Sequence, residues 1–132
     1  MNKDVGTFIL TLLHAATNAH LLHLRSTNYA EHIALGDFYA KLPDLVDTVA
    51  EGIMGITEEM IDYPVDYYPP MEDALDELRS LKDFVKDERE TLPQDTEIQN
   101  AVDEIADLID STIYKLKFLR WSPWEENLRP FN

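Results

Sequence analysis

The chain has no cysteine, so disulfides, thiolate metal sites and cysteine nucleophiles are all excluded. Glycine is scarce, with four in 132 residues, and most of the seven prolines follow residue 60. Long stretches are therefore free to form helix. No Val/Thr/Tyr-rich alternation of period two marks a strand. Internal repeats, Gly-rich phosphate loops and basic-aromatic patches are missing as well. Positive charge is the other shortage, with 11 Lys and Arg against 26 Asp and Glu and a net charge of −15. Lys3 and Arg25 outweigh Asp4 in the first thirty residues, so almost all the acidity lies beyond them. Such a surface repels phosphates and anionic lipid and attracts cations. With no basic arm in Met1-Asn2-Lys3-Asp4, no direct nucleic-acid binding is expected. The apolar run Phe8–Leu13 is short and is followed by His14, Asn18 and His20. With no basic segment before it and no small-residue cleavage site after it, neither a signal peptide nor a membrane span is expected. A cytoplasmic protein is the corresponding expectation.

What is abundant is helical periodicity, in a chain long enough for one domain over residues 1–132 with its own core. Asp4 is a good N-cap for a first helix running to about Arg25, with Phe8, Leu12, Ala15, Ala19 and Leu22 along one face. Ser26-Thr27-Asn28 breaks that pattern, and Asn28 with Glu31 forms a capping-box arrangement opening a second helix. This helix carries Ile33, Leu35, Phe38, Leu42, Leu45, Val46, Val49 and Ile53, and Gly52 and Gly55 mark its expected end. Pro43 inside it lacks an N–H and is expected to kink or locally open it. Residues 56–70, ending in Tyr67-Tyr68-Pro69-Pro70, form one long connection with a short helical turn expected at Glu58–Ile61. No PxxP core with flanking basic residues is present, which argues against a proline-domain ligand. A third helix is expected over Met71–Thr91, with Asp83 three residues before Lys86 as an attractive pair. Leu92-Pro93 stops it. Asp95 or Thr96 caps a fourth helix to about Leu119. Its Ile98, Val102, Ile105, Ile109, Thr112, Leu116 and Leu119 step by fours and threes, a bundle seam. The tail Trp121–Asn132 is aromatic and irregular, and Trp121 and Trp124 suit an anchor or an oligomer contact. The expected fold is all-α: an antiparallel four-helix bundle with a long connection between helices 2 and 3.

All four histidines fall within residues 14–32, so no core site built from two Glu-x-x-His helices fits within one chain. His20 and His32 lie twelve residues apart, Asp47 follows fifteen after His32, and Glu51 follows four after that. Asp47 and Glu51 face the same way, one helical turn apart. Two imidazoles and two carboxylates suit iron, manganese or zinc. A helix rise puts His32 and Asp47 roughly 22 Å apart, too far for one metal. Two chains lying antiparallel across a two-fold axis bring His20 and His32 of one to Asp47 and Glu51 of the other. The plain alternative is that the imidazoles satisfy helix ends and a dimer contact, and that the carboxylates are simply solvated. His23, one turn from His20, is a supplementary ligand or a surface residue; Tyr29 is packing or an electron relay; His14 has no assigned role.

The segment His20…Asn28-Tyr29…His32…Val46-Asp47-Thr48-Val49-Ala50-Glu51 resembles the ferroxidase signature of the Dps mini-ferritins, and Pro93-Gln94-Asp95-Thr96 resembles their last-helix start. The likeness extends over about residues 8–120. It implies a ferritin-like bundle, a homo-oligomer of at least a two-fold dimer, and an intersubunit iron site able to oxidise Fe²⁺ with oxygen or peroxide. His20, His32, Asp47 and Glu51 are the implied ligands. The chain also resembles small ferritin-like proteins of tailed bacteriophages in His32-Ile33-Ala34-Leu35-Gly36-Asp37-Phe38-Tyr39 and Tyr114-Lys115-Leu116-Lys117-Phe118-Leu119. Three departures from the Dps pattern stand out. The acid expected four residues after the second histidine is Gly36, with Asp37 next to it as a replacement; the usual tryptophan after the first histidine is Leu21; and the basic DNA-binding extension is missing. The alternative to a ferroxidase is a non-enzymatic ferritin-like interaction or structural protein with a degenerate metal site.

Overall fold

The computed structural model describes residues 2–119; the expected aromatic tail over 121–132 lies outside them. Four helices carry the described chain: α1 (Asn2–Arg25), α2 (Tyr29–Thr57), α3 (Ala74–Glu88) and α4 (Thr96–Tyr114). A 3₁₀ turn, Arg89–Thr91, extends α3, and a π turn, Lys115–Leu119, extends α4. No strand occurs among the described residues. The expected stripes are the buried faces: Phe8, Leu12, Ala15, Ala19 and Leu22 on α1, Leu35, Phe38, Leu42, Val46, Val49 and Ile53 on α2, Leu75, Leu78, Leu81 and Val85 on α3. The seam Ile98, Val102, Ile105, Ile109, Thr112 and Leu116 of α4 closes one shared core. Removing one such leucine, Leu42→Ala for example, costs about 2–5 kcal/mol.

α1 packs chiefly on α2, α2 on α4, α4 on α3, and α3 back on α1. In the first three of these pairings the contacts run in opposite order along the two helices. His23 meets His32 while His20 meets Tyr39; Gly52 meets Ile98 while Asp37 meets Lys115; Lys82 meets Asp110 while Arg89 meets Asp103. The Lys3–Arg25 part of α1 is long and apolar enough to cross a membrane, but 56% of its 18-residue apolar window is buried in the protein, as in a core helix.

Several boundaries differ from expectation for local reasons. α2 passes through Pro43 as one element and continues beyond Gly52 and Gly55 to Thr57. It ends at Glu58, which takes the left-handed conformation (φ 55°) and returns its N–H to the Met54 carbonyl. No helical turn forms at Glu58–Ile61. α3 starts later than Met71 because Asp73 caps it, its side chain accepting from Asp76 N–H. Asp83 and Lys86 make no ion pair; Lys82 and Arg89 instead reach across to α4. Leu119, the last expected seam residue, is 48% exposed, because the π turn widens the helix and rotates it out of register.

Residues 58–73 form a strap laid along α1 in the same direction as the helix. Asp62 lies against Gly6, Tyr68 against Thr11, Tyr67 against His14 and Asn18, and Met71 and Glu72 against Arg25. An extended chain from Asp62 to Glu72 covers about 33 Å, and α1 rises about 28 Å from Gly6 to Arg25, so the lengths match. Gly6 is required there: a Cβ would fall into the carbonyl oxygen of Asp62.

Candidate functional site

The carbonyls of the last turn of α1 have no partner inside the helix. That of His23 receives the Nδ1–H of His32 at 2.8 Å, and Ser26 N–H reaches it at 3.4 Å. His23 returns the bond, its Nδ1–H donating to the His32 carbonyl at 2.6 Å. The two rings stack with centroids 3.6 Å apart and planes 16° from parallel. Asn28 accepts from Glu31 N–H at 2.9 Å as expected, and Glu31 receives the Ser26 hydroxyl at 2.6 Å, so Ser26 and Asn28 are both tied to the start of α2. Gly36 makes room for this clasp: an added Cβ would lie 3.1 Å from His23 Cε1 and 3.2 Å from its Nδ1. Next to it, His20 stacks on Tyr39 at 4.0 Å and 9°, and Tyr39 meets His23 edge-on at 5.2 Å.

Three of the six expected ligands, His20, His23 and His32, are therefore neighbours on one face of the α1–α2 hairpin. The carboxylates are not with them. Asp47 and Glu51 are exposed further along α2. Asp37 pairs loosely with Lys115, 4.0 Å away and half exposed, an interaction of little energy.

The donor chemistry can be tested against a metal. A carbonyl only accepts, so each Nδ1 carries a proton, and in the neutral ring Nε2 keeps the lone pair with which imidazole ligates. That suits a metal. The ring arrangement does not: a ligand lone pair lies in its ring plane, and two near-parallel planes 3.6 Å apart do not converge on one ion. Among the described residues no group of three or more His, Asp or Glu side chains of one chain could hold a metal ion.

A second polar cluster, not foreseen from the sequence, fastens the strap. Asn18, fully buried on α1, donates to the Tyr68 carbonyl at 3.1 Å and accepts from the Tyr67 hydroxyl at 2.9 Å. Arg25 donates to the carbonyls of Met71 and Glu72 at 3.0 and 2.9 Å. Glu77, 6% exposed, accepts from Met71 N–H at 2.9 Å. Burial holds the Glu77 carboxyl above its ordinary value, against the pull of the Met71 N–H. Burial, then the nearby Glu77 and Tyr67, push the Tyr68 phenol up to about 12. A buried asparagine within an apolar helical face was the available signal.

The described residues form an all-helical protein of four helices, the turn between the first two closed by stacked histidines. Residues 23–116 match a family of unknown function, DUF5856, and the chain belongs to it. The match includes His23, His32, Gly36, Asp37, Asp47 and Glu51 and leaves out His20. No curated protein and no solved structure matches the chain.

Proposed function

We propose that this chain is a ferritin-like antiparallel four-helix bundle acting as a non-enzymatic, self-associating scaffold, in which the histidines close a hairpin in place of a redox centre. Opposed contact order between neighbouring helices, with a strap carrying the chain from the end of α2 back along α1, supports the ferritin-like arrangement. One observation carries the functional reading. The space over Gly36, where the resemblance expects a ligand acid on the next turn after His32, is taken by the ring of His23, bonded reciprocally to His32. Leu21 and Leu24, 45% and 67% exposed and three residues apart near the end of α1, give a second copy an apolar surface to meet.

A second reading keeps the metal. His32 retains a lone-pair Nε2, and Asp47 and Glu51 stand exposed one turn apart on α2. Under it, His20 and His32 of one copy and Asp47 and Glu51 of another would hold iron between subunits, and the bound iron would supply Fe²⁺ oxidation.

Aerobic addition of Fe²⁺ to the purified protein, followed by absorbance and combined with light scattering, separates the two. The scaffold reading expects a dimer or larger assembly whose iron oxidation equals that of buffer, with Leu24→Arg shifting the mass towards the monomer. Oxidation faster than buffer and lost in His32→Ala would establish the second reading. A wild-type monomer would defeat both.

A further inference from the structure

Between α1, the strap and α3 lies a cleft of about 290 Å³ lined by Thr11, Tyr68, Glu77, Ser80, Leu81 and Phe84. Glu77, 6% exposed, is its one carboxylate. One oxygen, Oε1, is bonded to Met71 N–H. The other has no hydrogen-bond partner, yet no described buried side-chain oxygen or nitrogen is both sealed and unpaired, so it opens on the cleft. None of the three ion pairs among the described residues involves Glu77. The phenol of Tyr68 and the ring of Phe84, the latter stacked on Phe8 at 5.8 Å, flank it.

A half-enclosed carboxylate with aromatic neighbours and no protein cation is the chemistry that receives an ammonium group. The N–H to carboxylate bond is charge-assisted, and the ring faces attract the cation. The net charge of −15 concentrates small cations around the molecule. We infer that this cleft is a binding site for a small primary ammonium compound, whose N–H groups bond the open oxygen of Glu77 while Tyr68 and Phe84 pack along its carbon chain. The volume suits a ligand of few heavy atoms. Burying an acid with a single hydrogen bond and no cation disfavours its charged form, and such local costs to stability are found where a residue serves binding. The site is independent of the histidines and of any metal.

The test is an amide-resolved NMR titration of the full chain with n-butylammonium chloride, alongside n-butanol at matched ionic strength. Saturable shifts are expected at Thr11, Ser80 and Leu81, with butanol at least about tenfold weaker. Glu77→Gln, which keeps an acceptor for Met71 N–H, weakens butylammonium by a similar factor. Ser80→Leu narrows the cleft without touching that bond, and it too weakens binding, which decides the matter should Glu77→Gln fold poorly. Shifts scattered over the acidic surface without saturation, or affinity unchanged in Ser80→Leu, would overturn the assignment.

Discussion

Where α1 turns into α2, the open carbonyl of His23 is met by an imidazole, that of His32. Where α3 turns into α4, the carbonyls of Arg89, Leu92 and Pro93 are met by the side-chain amides of Gln94 and Gln99. Arg89 completes that second turn through Gln99 and, at 2.7 Å, Asp103. Both turns face the same problem of unpaired helix-end groups, and N–H donors solve it in each. Imidazole is thus not needed for the bonds themselves. What it adds at the first turn is a flat ring that fills the space left by Gly36 and stacks on its partner. Two of the four clustered histidines, His23 and His32, have a structural role in this packing.

The contrast is most sharply tested at Gly36, which has no counterpart in the second turn. Gly36→Asp should displace the His23 ring and cost about 2–4 kcal/mol in urea unfolding; unchanged stability would mean that the ring is not held there. Next come the two donors themselves. His32→Ala should cost about 1–3 kcal/mol and Arg89→Ala about 1–2 kcal/mol. Only the Arg89 loss should shrink in about 1 M salt, because the Asp103 carboxylate is 58% exposed. Equal salt sensitivity in both would erase the distinction.

The smallest effects lie at the strap. The folded-state pKa of Glu77 is raised above the ordinary 4.5, so the native state holds the proton more tightly. Its contribution to stability is complete below that value and is lost as pH rises through the folded pKa. Glu77→Gln should therefore be more stable than the parent near neutral pH, with the gain vanishing towards about pH 4. Likewise Tyr68→Phe should remove the last step, near pH 12, from an alkaline absorbance titration of the tyrosines.

Most of the helical framework was legible because apolar spacing at threes and fours is set by which face is buried, and Leu12, Phe38, Val102 and Ile109 obey it. The strap was legible only as a long connection. Its docking depends on Gly6 meeting Asp62 and on Asn18 meeting Tyr67 and Tyr68, pairs separated by dozens of residues, and no local pattern encodes them. At Pro43 the helix is not opened, because one missing N–H does not outweigh the packing of Leu42 and Val46 on either side. At the site, the closeness of His20, His23 and His32 follows from the hairpin, and His32 at a helix end was one of the two roles foreseen. Ring stacking and the part played by Gly36 were not legible, since they depend on the distance between two helix axes.

His23 and His32 act as one structural unit, and a double-mutant cycle measures that directly. Urea unfolding of His23→Ala, His32→Ala and the double variant should give a coupling of about 1–2 kcal/mol between the two positions. Single losses that add to the double loss within about 0.3 kcal/mol would show two independent residues, and the clasp would be contradicted.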